Sequence, residues 1–198
     1  MLAIIRRAIL KTLYPVLSYL GKIGIPDRRV SERFVFLAGK VLRPGHVLLT
    51  RKDWEASNVL TSDYWKHAAI YLGPDENSVP TIIESVGRGV VAVGLAKFLL
   101  TKDDVLVLKP RFADPITMRM AANEAKKLLG QPYDYQFEPT NRAWYCSEII
   151  WWVYCKVVPH NPFTPRETLG VETVTPQDFA NAKEKWEVIL ASKDYQHG

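Results

Sequence analysis

Five short apolar runs between residues 46 and 109, separated by turn signals, restrict this chain more than any other feature. They occupy residues 46–50, 67–72, 81–86, 90–93 and 104–109. Each is too short for a helix with a buried stripe, and β-branched residues recur in them, so they read as strands. Pro44-Gly45 precedes the first and Gly73-Pro74-Asp75 closes the second. Gly87-Arg88-Gly89 separates the third and fourth, which makes that pair a hairpin. So many strands in so short a span imply a largely antiparallel sheet or a small barrel.

The carboxyl half has the period of helices. Residues 115–129 carry Ile116, Met120, Ala121, Leu128 and Leu129, and Gly130 follows as a stop. Residues 146–158 place Ile149, Ile150, Val153 and Val157 on an inner stripe, ended by Pro159. Thr175 caps a short helix with Pro176 at its first position. Residues 34–42 read as a short helix, 53–66 as a loop with some helix, and 186–191 as a last strand. The expected class is α+β, a sheet with helices packed on one side. At 198 residues, with 47% hydrophobic and 24% charged, the chain suits one globular domain over 26–198 and excludes disordered or collagen-like classes.

Residues 1–25 stand apart. Over 2–20, Arg6, Arg7, Lys11 and Ser18 fall on one side of an otherwise apolar helix, with Pro15 as a kink point. Lys11 interrupts the apolar run, which argues against a cleaved signal peptide and a spanning helix alike. Docking on the domain and lying on a membrane surface both remain. A cytoplasmic or membrane-associated protein is favoured over an exported one.

The net charge of +5 is mild, and the cations are scattered outside this segment. With no arginine-rich arm and no zinc-finger spacing, no nucleic-acid partner is expected. The two cysteines, Cys146 and Cys155, lie nine positions apart. On one helix that is roughly 13 Å, beyond disulfide reach.

Chemistry points to Trp144-Tyr145-Cys146-Ser147-Glu148. Here a cysteine follows a loop and opens an apolar helix, so the macrodipole and the first-turn N–H groups favour its thiolate. The Cys146 N–H is a natural oxyanion donor. A buried inert cysteine fits the same position. A thiolate nucleophile needs a base that titrates near neutrality, and His67 opens a strand where it can serve. Glu84 lies mid-strand, where a carboxylate is disfavoured unless paired; it orients His67 if the two strands are neighbours, or faces water. His46, after Pro44-Gly45, is a further polar group near a strand start, while His160 and His197 have no suitable context.

These pieces, Pro-Gly-His-Val-Leu-Leu-Thr at 44–50, His67-Ala-Ala-Ile-Tyr-Leu-Gly73, Ile83-Glu84-Ser-Val with Gly89-Val90, Pro132-Tyr133-Asp134-Tyr135-Gln-Phe137 and Tyr145-Cys146-Ser147-Glu148-Ile149, occur in order. The pattern over roughly 43–160 resembles the circularly permuted papain-fold hydrolases related to the NlpC cell-wall peptidases, in their YiiX-like branch. It is more distantly similar to the lecithin:retinol acyltransferase group. In unpermuted peptidases cysteine precedes histidine; here His67 precedes Cys146. The resemblance implies Cys146 as nucleophile, His67 as base and Glu84 as third member, with Tyr133 or Tyr145 near the oxyanion. His46 departs from the aspartate that many relatives carry, at a structural position.

The implied activity is a cysteine hydrolase that cleaves an amide or ester through an acyl-enzyme, with no metal and no cofactor. The apolar segment at 2–20 and the aromatics Trp144, Trp151, Trp152 and Phe163 lean toward a lipid or acylated substrate, although core packing also accounts for such aromatics. A peptidoglycan-stem amidase or endopeptidase is the alternative. A catalytically silent, membrane-docked binding module is a third.

Overall fold

The computed structural model describes residues 30–52, 63–137, 142–168 and 171–195. The amphipathic segment expected at 2–20, and most of the loop expected at 53–66, lie outside them.

Helix α1 (Glu32–Val41) begins at Ser31, whose Oγ accepts the Phe34 N–H at 3.2 Å, and it buries Phe34 and Ala38. Five strands follow within the next seventy residues: β1 (Val47–Arg51), β2 (His67–Pro74), β3 (Pro80–Val86), β4 (Gly89–Gly94) and β5 (Asp104–Pro110). A short helix α2 (Leu95–Leu99) separates β4 from β5. Then come α3 (Pro115–Lys126), α4 (Cys146–Val157), the ribbon β6 (Arg166–Thr168) and β7 (Val171–Thr173), α5 (Pro176–Asn181), β8 (Trp186–Ala191) and a 3-10 turn (Ser192–Tyr195). The main sheet has six strands in the order β4-β3-β2-β1-β5-β8, every pair antiparallel. It is an open sheet rather than a barrel.

Strand alternation divides the core in two. Val47, Leu49, Ala68, Ile70 and Ile83 face α3, α4 and α5. Leu48, Ala69, Tyr71, Ile82 and Val107 face α1 and α2. Because side chains leave a strand on alternate sides, runs that are apolar at nearly every position signal a sheet buried on both faces. This corrects the expectation of helices on one side only.

One helix face also needed correction. On α3 the buried residues are Met118, Ala121, Ala122 and Ala125. The expected members Ile116, Met120 and Leu129 are 64%, 50% and 43% exposed. Three alanines let α3 lie close to α4 and β2, which a stripe chosen for bulk does not anticipate. On α4, Ile149, Ile150 and Val153 are buried and Val157 packs half-buried against the core as expected, and Tyr154 joins them, its hydroxyl donating to the Gly45 carbonyl at 2.6 Å.

That glycine is required. Its φ is +94°, and a Cβ there would sit 2.4 Å from the Met118 carbonyl oxygen. The turn therefore presses against α3 and starts β1 in the correct register.

Candidate active site

Register brings the first two residues together. His67 opens β2 opposite Thr50 of β1, and Ala69 of β2 pairs with Glu84 of β3. His67 and Glu84 are thus diagonal neighbours on one face, a separation that long side chains bridge. His67 Nε2 lies 2.8 Å from Glu84 Oε2, with both side chains largely buried. Water-facing Glu84, the other reading of the sequence, does not hold, since the residue is 8% exposed.

The entry to β2 is anchored from below. Gln177 Oε1, on α5, accepts the N–H groups of Tyr64 and Trp65, each at 3.1 Å. Arg166 joins Asp178 of the same helix to Asp63 through bonds of 2.7 and 2.8 Å. The short stretch that delivers His67 is therefore fixed before the strand begins.

Cys146 is the first residue of α4, with Tyr145 as N-cap in extended conformation. Its thiol lies beside His67, the Ala68 backbone N–H and the Ser147 hydroxyl, all of which favour the thiolate. With Nε2 committed to Glu84, Nδ1 is the nitrogen left for the sulfur. Burial alone would raise the thiol pKa; the His67 charge, the His67 hydrogen bond and the two further donors outweigh it and hold the thiol below its ordinary range. Burial likewise opposes charge on His67, but Cys146 and then Glu84 raise its pKa to about 10. Glu84, against its own burial, is kept ionised by His67, with Lys102 and Arg88 assisting. The shifts favour a thiolate–imidazolium pair backed by a carboxylate, the chemistry that attack on an acyl carbon needs.

The remaining predicted residues fall nearby or elsewhere. Tyr133 is half-buried; its backbone bridges to Trp144, and its ring lies 4.8 Å from that of Tyr135. Tyr145 is 3% exposed and its ring packs 5.2 Å from Phe137. Its hydroxyl is turned toward the Val174 backbone, without a hydrogen bond of full geometry. His46 lies at the far end of β1, where its Nδ1 accepts the Arg43 N–H at 3.2 Å. Burial and the nearby Lys109 and Arg43 lower its pKa to about 4, so it is a neutral turn residue. Cys155 donates its thiol to Asn161 Oδ1 at 3.2 Å and is remote from the pair in role.

The aromatics divide. Phe163 joins Phe112, Phe179 and Trp186 in the core. Trp144 packs on Trp152 at 5.1 Å, and both are half-buried. Sequence reasoning passed over Ser85 and treated Glu148 only as part of a motif, yet both are almost fully buried beside the segment that leads into Cys146. A serine next to Glu84 in an otherwise largely apolar strand was the available signal.

Known proteins share the family and the fold. Residues 41–190 match the model of a family described as permuted papain-like amidase enzymes, YaeF/YiiX. The chain is 32% identical over 65 residues to the uncharacterized protein YiiX of Escherichia coli K12, a stretch covering 33% of this chain and 32% of that protein. The crystal structure of YiiX from Escherichia coli O157:H7, described as a metalloprotein, shares the fold with a TM-score of 0.54 and 21% identity over 74% of this chain and 88% of the other. Among the described residues here, no group of three or more His, Cys, Asp and Glu side chains is arranged to hold a metal ion. With its six-stranded antiparallel sheet, its flanking helices and a family match over three quarters of its length, the chain belongs to the permuted papain-like amidases of the YaeF/YiiX family.

Proposed function

We propose that this protein is a cysteine amidase or esterase in which Cys146, His67 and Glu84 act as a triad. The observation that carries the reading is the 2.8 Å contact between His67 and Glu84, with the Cys146 thiol set beside the same imidazole. The Cys146 thiolate attacks the substrate carbonyl while imidazolium His67 stands ready to protonate the leaving nitrogen or oxygen. Departure of the protonated leaving group gives a thioester on Cys146 and neutral His67. His67 then takes a proton from water, whose oxygen attacks the thioester and releases the acid. Glu84 keeps Nε2 occupied throughout, so the ring presents Nδ1 to the sulfur and the leaving group. The Cys146 N–H, at the first turn of α4, is aimed to receive the oxyanion. Tyr133, on the strand-like segment beside Trp144, is a second candidate for that role. Tyr145 is a weaker one, because its hydroxyl lies in the core.

For substrate we favour an acyl group of apolar character. Half-buried Tyr133, Tyr135, Phe137 and Trp144 flank the nucleophile loop and offer partly exposed aromatic surface. Among the described residues no helix is long and apolar enough to cross a membrane. Panels of acyl amides, acyl esters and peptidoglycan-stem peptides, run on wild type and Cys146→Ala, test both parts. The triad reading requires that Cys146→Ala lose all turnover of any accepted substrate while keeping its thermal midpoint. Turnover of stem peptides alone would replace the acyl reading with the cell-wall one.

A further inference from the structure

The peptide unit joining Trp144 to Tyr145 immediately precedes the nucleophile, and it is gripped at both ends. Its carbonyl accepts from the Ser85 hydroxyl at 2.5 Å and from the Asp134 N–H at 3.2 Å. Its N–H donates to Glu148 Oε2 at 3.2 Å. Ser85 is 1% exposed and Glu148 2%, so water does not compete for either bond.

The two gripping residues come from different parts of the fold. Ser85 follows Glu84 on β3, and successive side chains leave a strand on opposite faces. One strand therefore touches His67 through Glu84 and the nucleophile loop through Ser85. Glu148 closes the grip from inside α4, two residues past Cys146.

Pairing of an orphan helix-end group accounts for the Glu148 bond, which reaches back to the N-cap N–H of α4, but not for the Ser85 bond. The Trp144 carbonyl already has the Asp134 N–H, so a second donor is unnecessary for pairing. A β-branched apolar residue would suit a buried strand position better than serine. What the Ser85 bond adds is direction: it fixes the tilt of the plane, and through it the position of the next residue.

Resting on the reading of Cys146 as nucleophile, we propose that Ser85 and Glu148 are positioning residues that clamp the Trp144–Tyr145 peptide plane and so set the Cys146 sulfur against His67. The chemistry of Glu148 fits the task. Burial, with Asp134 and Cys146 nearby, pushes its pKa to about 8 even though the Tyr145 N–H favours the anion. Through the neutral range it thus accepts a hydrogen bond without setting a full negative charge beside the thiolate.

The test needs no substrate. The full chain is alkylated with iodoacetamide across pH 5 to 10, and modification of Cys146 is read from its own peptide by mass spectrometry. Ser85→Ala is expected to move the pH midpoint of Cys146 alkylation upward by about one unit, which is about tenfold slower reaction at the acid end. Ser85→Thr keeps the hydroxyl and restores the wild-type midpoint. Glu148→Ala shifts the midpoint likewise, and Glu148→Gln, which keeps an acceptor oxygen, restores it. A purely structural Ser85 would lower the thermal midpoint and leave the pH midpoint in place, and that result overturns the clamp. If Ser85→Ala does not fold, the Glu148→Ala and Glu148→Gln pair decides on the same criterion. Failure of the nucleophile reading itself looks different: wild-type Cys146 would then alkylate with the profile of Cys155.

Discussion

Replacing Glu84 by Gln separates the two things this residue gives His67, a hydrogen-bond acceptor and a charge. Glutamine keeps an oxygen for the Nε2 proton that Glu84 Oε2 meets at 2.8 Å. A bond to a charged partner is worth about 1.5–3 kcal/mol net and a neutral one about 0.5–1.5, so losing the charge costs on the order of 1 kcal/mol. At about 1.4 kcal/mol per pH unit, the His67 pKa should fall by somewhat under one unit from about 10. The loss is modest because Cys146 ranks ahead of Glu84 among the influences that raise it. Glu84→Ala removes the acceptor as well and should lower the pKa by about two units. The assay is an NMR titration of the His67 ring signals in the three proteins. The sign for stability follows from the same numbers. A folded pKa of about 10 against about 6.5 unfolded gives stability that is complete below pH 6.5 and lost as pH rises through 10. Both variants should therefore lose stability most below that window and converge on wild type above it. If His67 titrates at the wild-type midpoint in both variants, the carboxylate is not coupled to the ring and the triad argument fails.

Two further results follow, beside the loss of turnover expected for Cys146→Ala. At pH 6.5 iodoacetamide should modify Cys146 ahead of Cys155, since both are partly exposed while the second thiol is pushed up by burial. An ordinary thiol is ~1% thiolate there, so the ratio approaches ~100 on ionisation alone and falls to about tenfold once the weaker nucleophilicity of an acidic thiol is allowed for; equal labelling in a timed mass-spectrometric assay would contradict it. Gly45→Ala should cost about 3 kcal/mol or more in urea unfolding, because φ is +94° and the Met118 carbonyl leaves no room, whereas Gly39→Ala, with open space inside α1, should gain about 0.5–1 kcal/mol. Similar midpoints for these two variants would refute the close packing of the turn on α3.

The strands were legible because glycine and proline mark their ends, and the order of Cys146 after His67 gave away the permuted arrangement. Other elements carried no signal. Helix α2 is five residues, Leu95–Leu99, too short to show a period. Strands β6 and β7 are three residues each and mostly polar, and they form only because they pair with one another. The burial of both sheet faces was written in Val47-Leu48-Leu49, but a run without alternation does not say which neighbour covers which side. In the site, Cys146, His67 and Glu84 stood out by residue type. Ser85 and Glu148 did not, since they act on a backbone peptide that no sequence pattern displays.

Helix α1 rests against the closing 3-10 turn, and the Val30 N–H donates to the Lys102 carbonyl just before β5. The first and last described elements of the domain are thus neighbours, although the chain visits every strand between them. A body whose ends adjoin is indifferent to where its thread is cut: a short linker can join those ends, and new ones can open in an exposed bend such as that at Asp75–Ser78. A rearranged gene then encodes the same solid with its parts recited in another order. For a site built from β2, β3 and the start of α4, the succession of histidine and cysteine along the chain is an accident of ancestry, and only their meeting place is under physical constraint.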